Sequence, residues 1–128
     1  MVKKQKSQRQ LGTDYENSAV AYLQSLGYRI IDRNYRTSYG EIDIVAEDKD
    51  FVIVYIEVKY RQKNTYGDPL EAVDIRKQKR ICRVALHHMV VRGFWGERSF
   101  RFDVIGIYGD GKIRHVKDAF PYQGGNGY

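Results

Sequence analysis

The chain contains a single cysteine, Cys82, so no internal disulfide can form and no cysteine-based zinc site can be assembled. The residue reads as a small core side chain. No apolar run approaches the roughly 18 residues that a membrane span needs. The Lys3-Lys4-Gln5-Lys6 stretch is not followed by the apolar segment of a signal peptide, so a cytoplasmic protein without membrane attachment is expected. The sequence also lacks a glycine-rich GxxxxGK loop, which disfavours a phosphoryl-handling enzyme for small molecules. His87 and His88 are adjacent, without metal-ligand spacing or an HExxH context, and so offer little for zinc.

The formal net charge is +6 over 128 residues, which suggests an anionic partner. Lys3, Lys4, Lys6 and Arg9 supply most of it, however, so the distribution of charge says more than its sum. Residues 1–10 are polar and basic without periodicity and read as a flexible, solvating arm. Residues 11–121, with apolar positions enough for one core, read as a single domain. The glycine-rich residues 122–128 read as a disordered tail.

The first helix is expected from Thr13, where Thr13-x-x-Glu16 has capping-box spacing, to just before Gly27. Ala19, Val20, Leu23 and Leu26 would form its inner stripe. Strands are expected at 28–35, 41–46 and 51–60, the last almost continuously β-branched, aliphatic or aromatic and hence central. A second helix is expected from 68–71, with an alternative start at Asp74, to Gly93. At 100° per residue it places Ile75, Cys82, Ala85, Leu86 and Met89 on one face and Arg76, Arg80, Arg83 and His87 on the other. Strands at 99–107 and 112–116 complete an α/β layout, with helices covering a mixed sheet.

Alternation in the third strand puts Tyr55, Glu57 and Lys59 on one face. A carboxylate and an ammonium thus end a buried strand, where a lone charge needs a partner. By themselves they could be an ordinary ion pair at a sheet edge. Asp43 interrupts the apolar second strand, and it can share a face with Glu57 only if the hairpin loop has an odd number of residues or a bulge. Glu16 lies in line with Val20 and Leu23, either as a cap or as a fourth member. Converging carboxylates repel by about 4 kcal/mol per pair at about 4 Å and an effective dielectric of 20. Lys59 offsets part of this, and a hard divalent cation would offset the rest. Asp43 and Glu57 would hold that ion, the Val58 carbonyl would complete its coordination, and Lys59 would position a water or stabilise charge.

Arg76, Arg80 and Arg83, flanked by Lys77 and Lys79, form a basic face suited to a phosphate backbone or simply to solvent. Arg61 would lie nearest a bound phosphate. Tyr35, Tyr39, Tyr60 and Tyr66 could stack on unpaired bases or fill sheet surfaces. Asp103 is expected to pair with Arg101 or support the sheet.

Gly40-Glu41-Ile42-Asp43 followed by Glu57-Val58-Lys59 resembles the PD-(D/E)xK restriction-endonuclease-like superfamily, with Ile42 where that pattern carries proline. Thr13-Asp14-Tyr15-Glu16, Arg33-Asn34-Tyr35-Arg36, Ile56 through Arg61 and Arg101-Phe102-Asp103-Val104 resemble the bacterial YraN-type family over about residues 12–120. That group is similar to archaeal Holliday-junction resolvases, which also use an early helical glutamate, matched here by Glu16. The resemblance implies a restriction-endonuclease-like αβββαβ core and a nuclease dependent on Mg²⁺ or Mn²⁺. Its expected substrate is branched or structured DNA, and a homodimer would suit cutting two strands. The alternative is a non-catalytic nucleic-acid-binding or adaptor module on the same fold.

Overall fold

The structure, a computed structural model, describes residues 7–61 and 69–124. Helix α1 (Gln8–Ser25) opens on Ser7, whose hydroxyl accepts from the Gln10 amide at 3.2 Å. This corrects the expected start at Thr13, which lies inside the helix with its hydroxyl donating to the Arg9 carbonyl at 3.1 Å. Glutamine, arginine and leucine are good helix formers, and with the Ser7 cap the helix extends backwards through residues 8–12 in spite of Gly12. Residues 7–10 therefore open α1 instead of closing a flexible arm. Residues 1–6 lie outside the described residues.

Strands β1 (Arg29–Thr37), β2 (Gly40–Glu47) and β3 (Ile53–Arg61) follow, then a 3-10 turn at Pro69–Ala72, helix α2 (Ile75–Arg92), β4 (Phe100–Tyr108) and β5 (Ile113–Phe120). Asp68 lies outside the described residues. The second expected start is the one used: Asp74 caps α2, its carboxylate accepting from the Lys77 amide at 2.8 Å. Gly93 ends the helix in the left-handed conformation, φ 73°, as a C-terminal glycine should. The order in the sheet is β1-β2-β3-β4-β5. Only the β3–β4 pair is parallel, which is why a helix must cross between them. The fold is thus α/β with a mixed sheet and the αβββαβ order, extended by β5.

One sheet face packs against α1, where Ala19 and Leu23 meet Ile44, Ala46, Val54, Ile56 and Ile105. The other packs against α2, where Ile81, Cys82, Val84, Ala85 and Met89 meet Val45, Ile53, Tyr55, Phe102 and Val104. Ile75, expected on that inner face, is instead exposed as the first residue of the helix. His88, paired in sequence with His87, turns inward and is buried. Its ring bridges Tyr55 Oη at 2.9 Å and Asp32 Oδ2 at 2.7 Å. On the α1 side His115 bridges Tyr22 Oη at 3.1 Å and Asp103 Oδ2 at 2.7 Å. Arg101 Nε also donates to Asp103, at 3.0 Å, so Asp103 braces the sheet. These chains satisfy polar groups that would otherwise be costly to bury.

The expected disordered tail is corrected at its beginning. Tyr122 packs edge-on against Phe100 with ring centroids 5.7 Å apart. The Gln123 side chain donates to Gln78 Oε1 at 2.8 Å. Residues 125–128 lie outside the described residues.

Candidate active site

The site begins with hairpin register. Glu47 pairs with Ile53, Ala46 with Val54, Val45 with Tyr55 and Ile44 with Ile56, leaving an odd number of residues, 48–52, in the loop. Continued by one step, this register sets Asp43 opposite Glu57. In an antiparallel pair opposed residues share a face, so both acids belong to the α2 side.

The β2–β3 pairing stops at Ile44 and Ile56, and a kink in β1 shows how the strands part. Arg33 reaches Asn17 of α1 at 2.7 Å, yet Tyr35, two residues on, reaches His87 of α2 at 2.6 Å. Residues two apart in a strand should share a face. Between them Asn34 has φ 53°, a left-handed conformation that asparagine tolerates better than most residues, and it turns the strand over. Ile42, paired with Tyr35, turns with it onto the α2 side. In the resulting gap Asp43 Oδ2 accepts from the Val58 amide at 2.8 Å, replacing a ladder bond with a side chain. The N–H and C=O of one strand residue point the same way, so the Val58 carbonyl also faces the gap.

The acids open into a pocket of about 290 Å³ lined by Tyr39, Gly40, Glu41, Asp43, Glu57 and Lys77, with Arg80 and Ile81. Burial, and then the neighbouring Glu57 charge, push the Asp43 carboxyl up to about 7, against the pull of the Val58 amide. Glu57 is buried and meets two ammonium groups, Lys77 Nζ at 2.9 Å and Lys59 Nζ at 3.4 Å from Oε1. Burial, together with the adjacent Lys77, lowers the Lys59 amine below its ordinary value. For Lys77, burial pulls downward, but its contacts with Lys59 and Glu57 outweigh it and leave the amine raised.

Glu16, on α1, does not line the pocket but lies near enough for its charge to act on Asp43. Because α1 is capped at Ser7, Glu16 caps nothing. Turned with its nitrogen toward the acids, the Asn34 amide donates to Glu16 Oε1 at 2.9 Å and Glu41 Oε1 at 3.0 Å. Burial raises the Glu16 carboxyl, with Arg33 opposing and Glu41 adding to the rise. Among the described residues no three His, Cys, Asp or Glu side chains form a ready-made metal cluster.

The structure therefore brings together Asp43, Glu57, Lys59 and the Val58 backbone, with Glu16 at the margin. Arg76, Lys79, Arg80 and Arg83 are exposed on α2, and Arg83 lies over the Tyr39 ring at 5.3 Å. Lys77 departs from the expected basic face and turns into the pocket. Arg61 is exposed at the end of β3. Tyr35 serves packing and His87, while Tyr66 lies outside the described residues. The reading from sequence missed Lys77, Asn34 and Glu41 as parts of this site. Lys77 had one available signal, its position three residues past the Asp74 cap on a helix that follows the acidic strand.

The model of the uncharacterised protein family UPF0102 matches residues 15–107. The chain belongs to this family. Its relatives include a UPF0102 protein of Desulforamulus reducens, 39% identical over 114 residues that cover 85% of this chain and 93% of that protein. Another, from Sulfurihydrogenibium sp., is 41% identical over 111 residues, covering 87% and 94%. The family match spans Glu16, Asp43, Glu57, Lys59 and the whole of α2. Among solved structures, the EndoMS–double-stranded DNA complex aligns with a TM-score of 0.38 at 20% identity, over 84% of this chain and 37% of that one. That superposition is too loose to argue from. No described helix of this family member is long and apolar enough to cross a membrane.

Proposed function

We propose that this chain is a Mg²⁺- or Mn²⁺-dependent nuclease acting on DNA, with branched or otherwise structured DNA as the substrate class. The observation that carries the reading is the placement of Asp43 and Glu57 on one face where β2 and β3 part, in a pocket they share with Lys77, with Lys59 beside Glu57. The donors are carboxylate and carbonyl oxygens, the set that hard divalent ions take. Asp43 is pushed up to about 7 by burial and Glu57, so the attraction it shares with Lys77 does not offset the cost of its charge. Magnesium typically needs only one or two carboxylates, with waters and phosphate oxygens filling its shell, so a three-acid cluster is not required.

Asp43 and Glu57 would hold the ion, with the Val58 carbonyl beside them and Glu16 at the outer edge. When bound, the ion neutralises the acids and polarises a phosphodiester as a Lewis acid. Lys59, its amine lowered by burial, is suited to position an attacking water and exchange a proton at Nζ. Lys77, now on Glu57 at 2.9 Å, would be the group in this pocket to meet charge developing on phosphate. Arg61, Arg76, Lys79, Arg80 and Arg83 bind the flanking backbone.

One observation favours the second reading, a binding or adaptor module without catalysis: two lysines already neutralise Glu57. The two readings separate in one assay, cleavage of junction, flap, single-stranded and duplex DNA with Mg²⁺ or Mn²⁺. The nuclease reading predicts metal-dependent products that fall at least about a hundredfold in Asp43→Ala, the scale of losing a group that acts in the transition state. Equal trace activity in wild type and variant would leave only the adaptor, whose salt-sensitive binding survives Glu57→Ala.

A further inference from the structure

On the other side of the β3 end, Tyr60 projects toward α1 and stacks on Tyr15, with ring centroids 3.7 Å apart and planes inclined by 11°. The pair walls a cleft of about 370 Å³ that Gln8, Leu11 and Gly12 complete. The cleft is open at Gly12, where an added Cβ would meet nothing within 4 Å. Tyr60 remains 36% exposed, although a tyrosine at the edge of a hydrophobic core could bury its ring.

Three features suit this cleft to a planar ligand. A face-to-face sandwich is the arrangement that ring quadrupoles favour least, so a nucleobase that replaces either ring as stacking partner has only that stack and the contact between the two hydroxyls to displace. The cleft walls are aromatic, aliphatic and amide, a lining for a flat heterocycle instead of an ion. Tyr60 also lies between Lys59 and Arg61 in the chain. Alternation turns Lys59 and Arg61 to the opposite face from Tyr60, but Arg61 is exposed at the end of β3, where a strand leaving the cleft around the sheet end would pass it.

We propose that the Tyr15–Tyr60 cleft holds one unpaired base of a single-stranded DNA segment, while the strand beyond it runs past Arg61 at the end of β3. A base inside a duplex is already stacked on both faces and cannot enter, so the cleft selects flaps, gaps and branch points over continuous duplex. What happens to the strand afterwards rests on the nuclease reading. The capture of the base does not.

The test is fluorescence anisotropy in EDTA, where nothing is cut, using a labelled oligothymidine, an abasic strand of the same length and a blunt duplex. Wild type should bind oligothymidine at least about tenfold more tightly than the abasic strand, on the scale of base–aromatic stacking. Tyr60→Leu, which keeps an apolar contact for Tyr15, should remove that preference and leave duplex binding unchanged, and Tyr60→Trp should retain it. Urea denaturation of Tyr60→Leu separates lost binding from lost folding. Equal affinity of wild type for the oligothymidine and abasic strands, or an equal loss on all three ligands in a folded Tyr60→Leu, overturns the proposal. A preference that persists in a chain without cleavage activity would retain this cleft and discard the nuclease reading.

Discussion

Asp43 carries the conflict between stability and function. Its carboxyl is pushed up to about 7 by burial and by Glu57, so the fold disfavours its ionised form relative to the unfolded chain. Below about pH 4, the ordinary range of an aspartate, Asp43 is protonated in both states and costs nothing. The penalty grows as pH rises from there to about 7 and is constant above that. In EDTA, Asp43→Asn should therefore stabilise the protein by about 2 kcal/mol at pH 8 and by almost nothing at pH 4. Coupling to Glu57 and partial exposure keep this below the full shift. Urea denaturation at the two pH values reads the difference, and a destabilised variant at pH 8 would contradict the burial argument. Asp43 and Glu57 were legible in the sequence because alternation holds as far as Asp43, failing only at Ile42, and the loop between their strands has odd length. Lys77 was not, because the rotation of a helix about its own axis is set by packing, and the place of Lys77 after the Asp74 cap does not by itself say which of five basic side chains meets Glu57.

At the scale of elements, the site depends on β1 turning over at Asn34, φ 53°. Two outcomes test this. Asn34→Val places a β-branched side chain where such conformations cost on the order of 1–3 kcal/mol and also removes the amide between Glu16 and Glu41. Asn34→Gly keeps the conformation and should lose less in urea denaturation. Equal stability of the two variants would mean that the backbone can do without the kink. The strands themselves were legible to within a few residues, since apolar alternation and charged turns mark them. The kink was not, because an asparagine within a strand pattern shows no preference for the left-handed region until its neighbours are known. The start of α1 was misplaced for a related reason: Ser7 caps as well as Thr13 does, and only packing chooses between two plausible caps. His88 was weighed only as a zinc ligand, and its burial between Tyr55 and Asp32 was not legible because those contacts join residues far apart in sequence.

Over the whole molecule, an acidic pocket is set beside exposed arginines at the α2 face. On the proposed reading, such an arrangement would draw in a polyanion by its periphery and take a cation at its centre. Binding to DNA should weaken steeply with salt, and replacing Arg76, Arg80 and Arg83 together with alanine should lower the log–log slope by about 2 to 3, at roughly 0.9 per phosphate contact. Titration of affinity against salt in EDTA checks this, and an unchanged slope would remove that helix face from the interface. The α/β architecture followed from the order of periodic segments, whereas the partners of the acids emerged only in three dimensions. The account as a whole turns on whether the pocket between β2 and β3 is an ion site, and a Mn²⁺-soaked crystal measures that most directly. Anomalous density touching both Asp43 and Glu57, with Lys77 Nζ moved off Glu57, is the expected result. Density absent from the pocket at saturating Mn²⁺, with Lys77 still seated on Glu57, would contradict it.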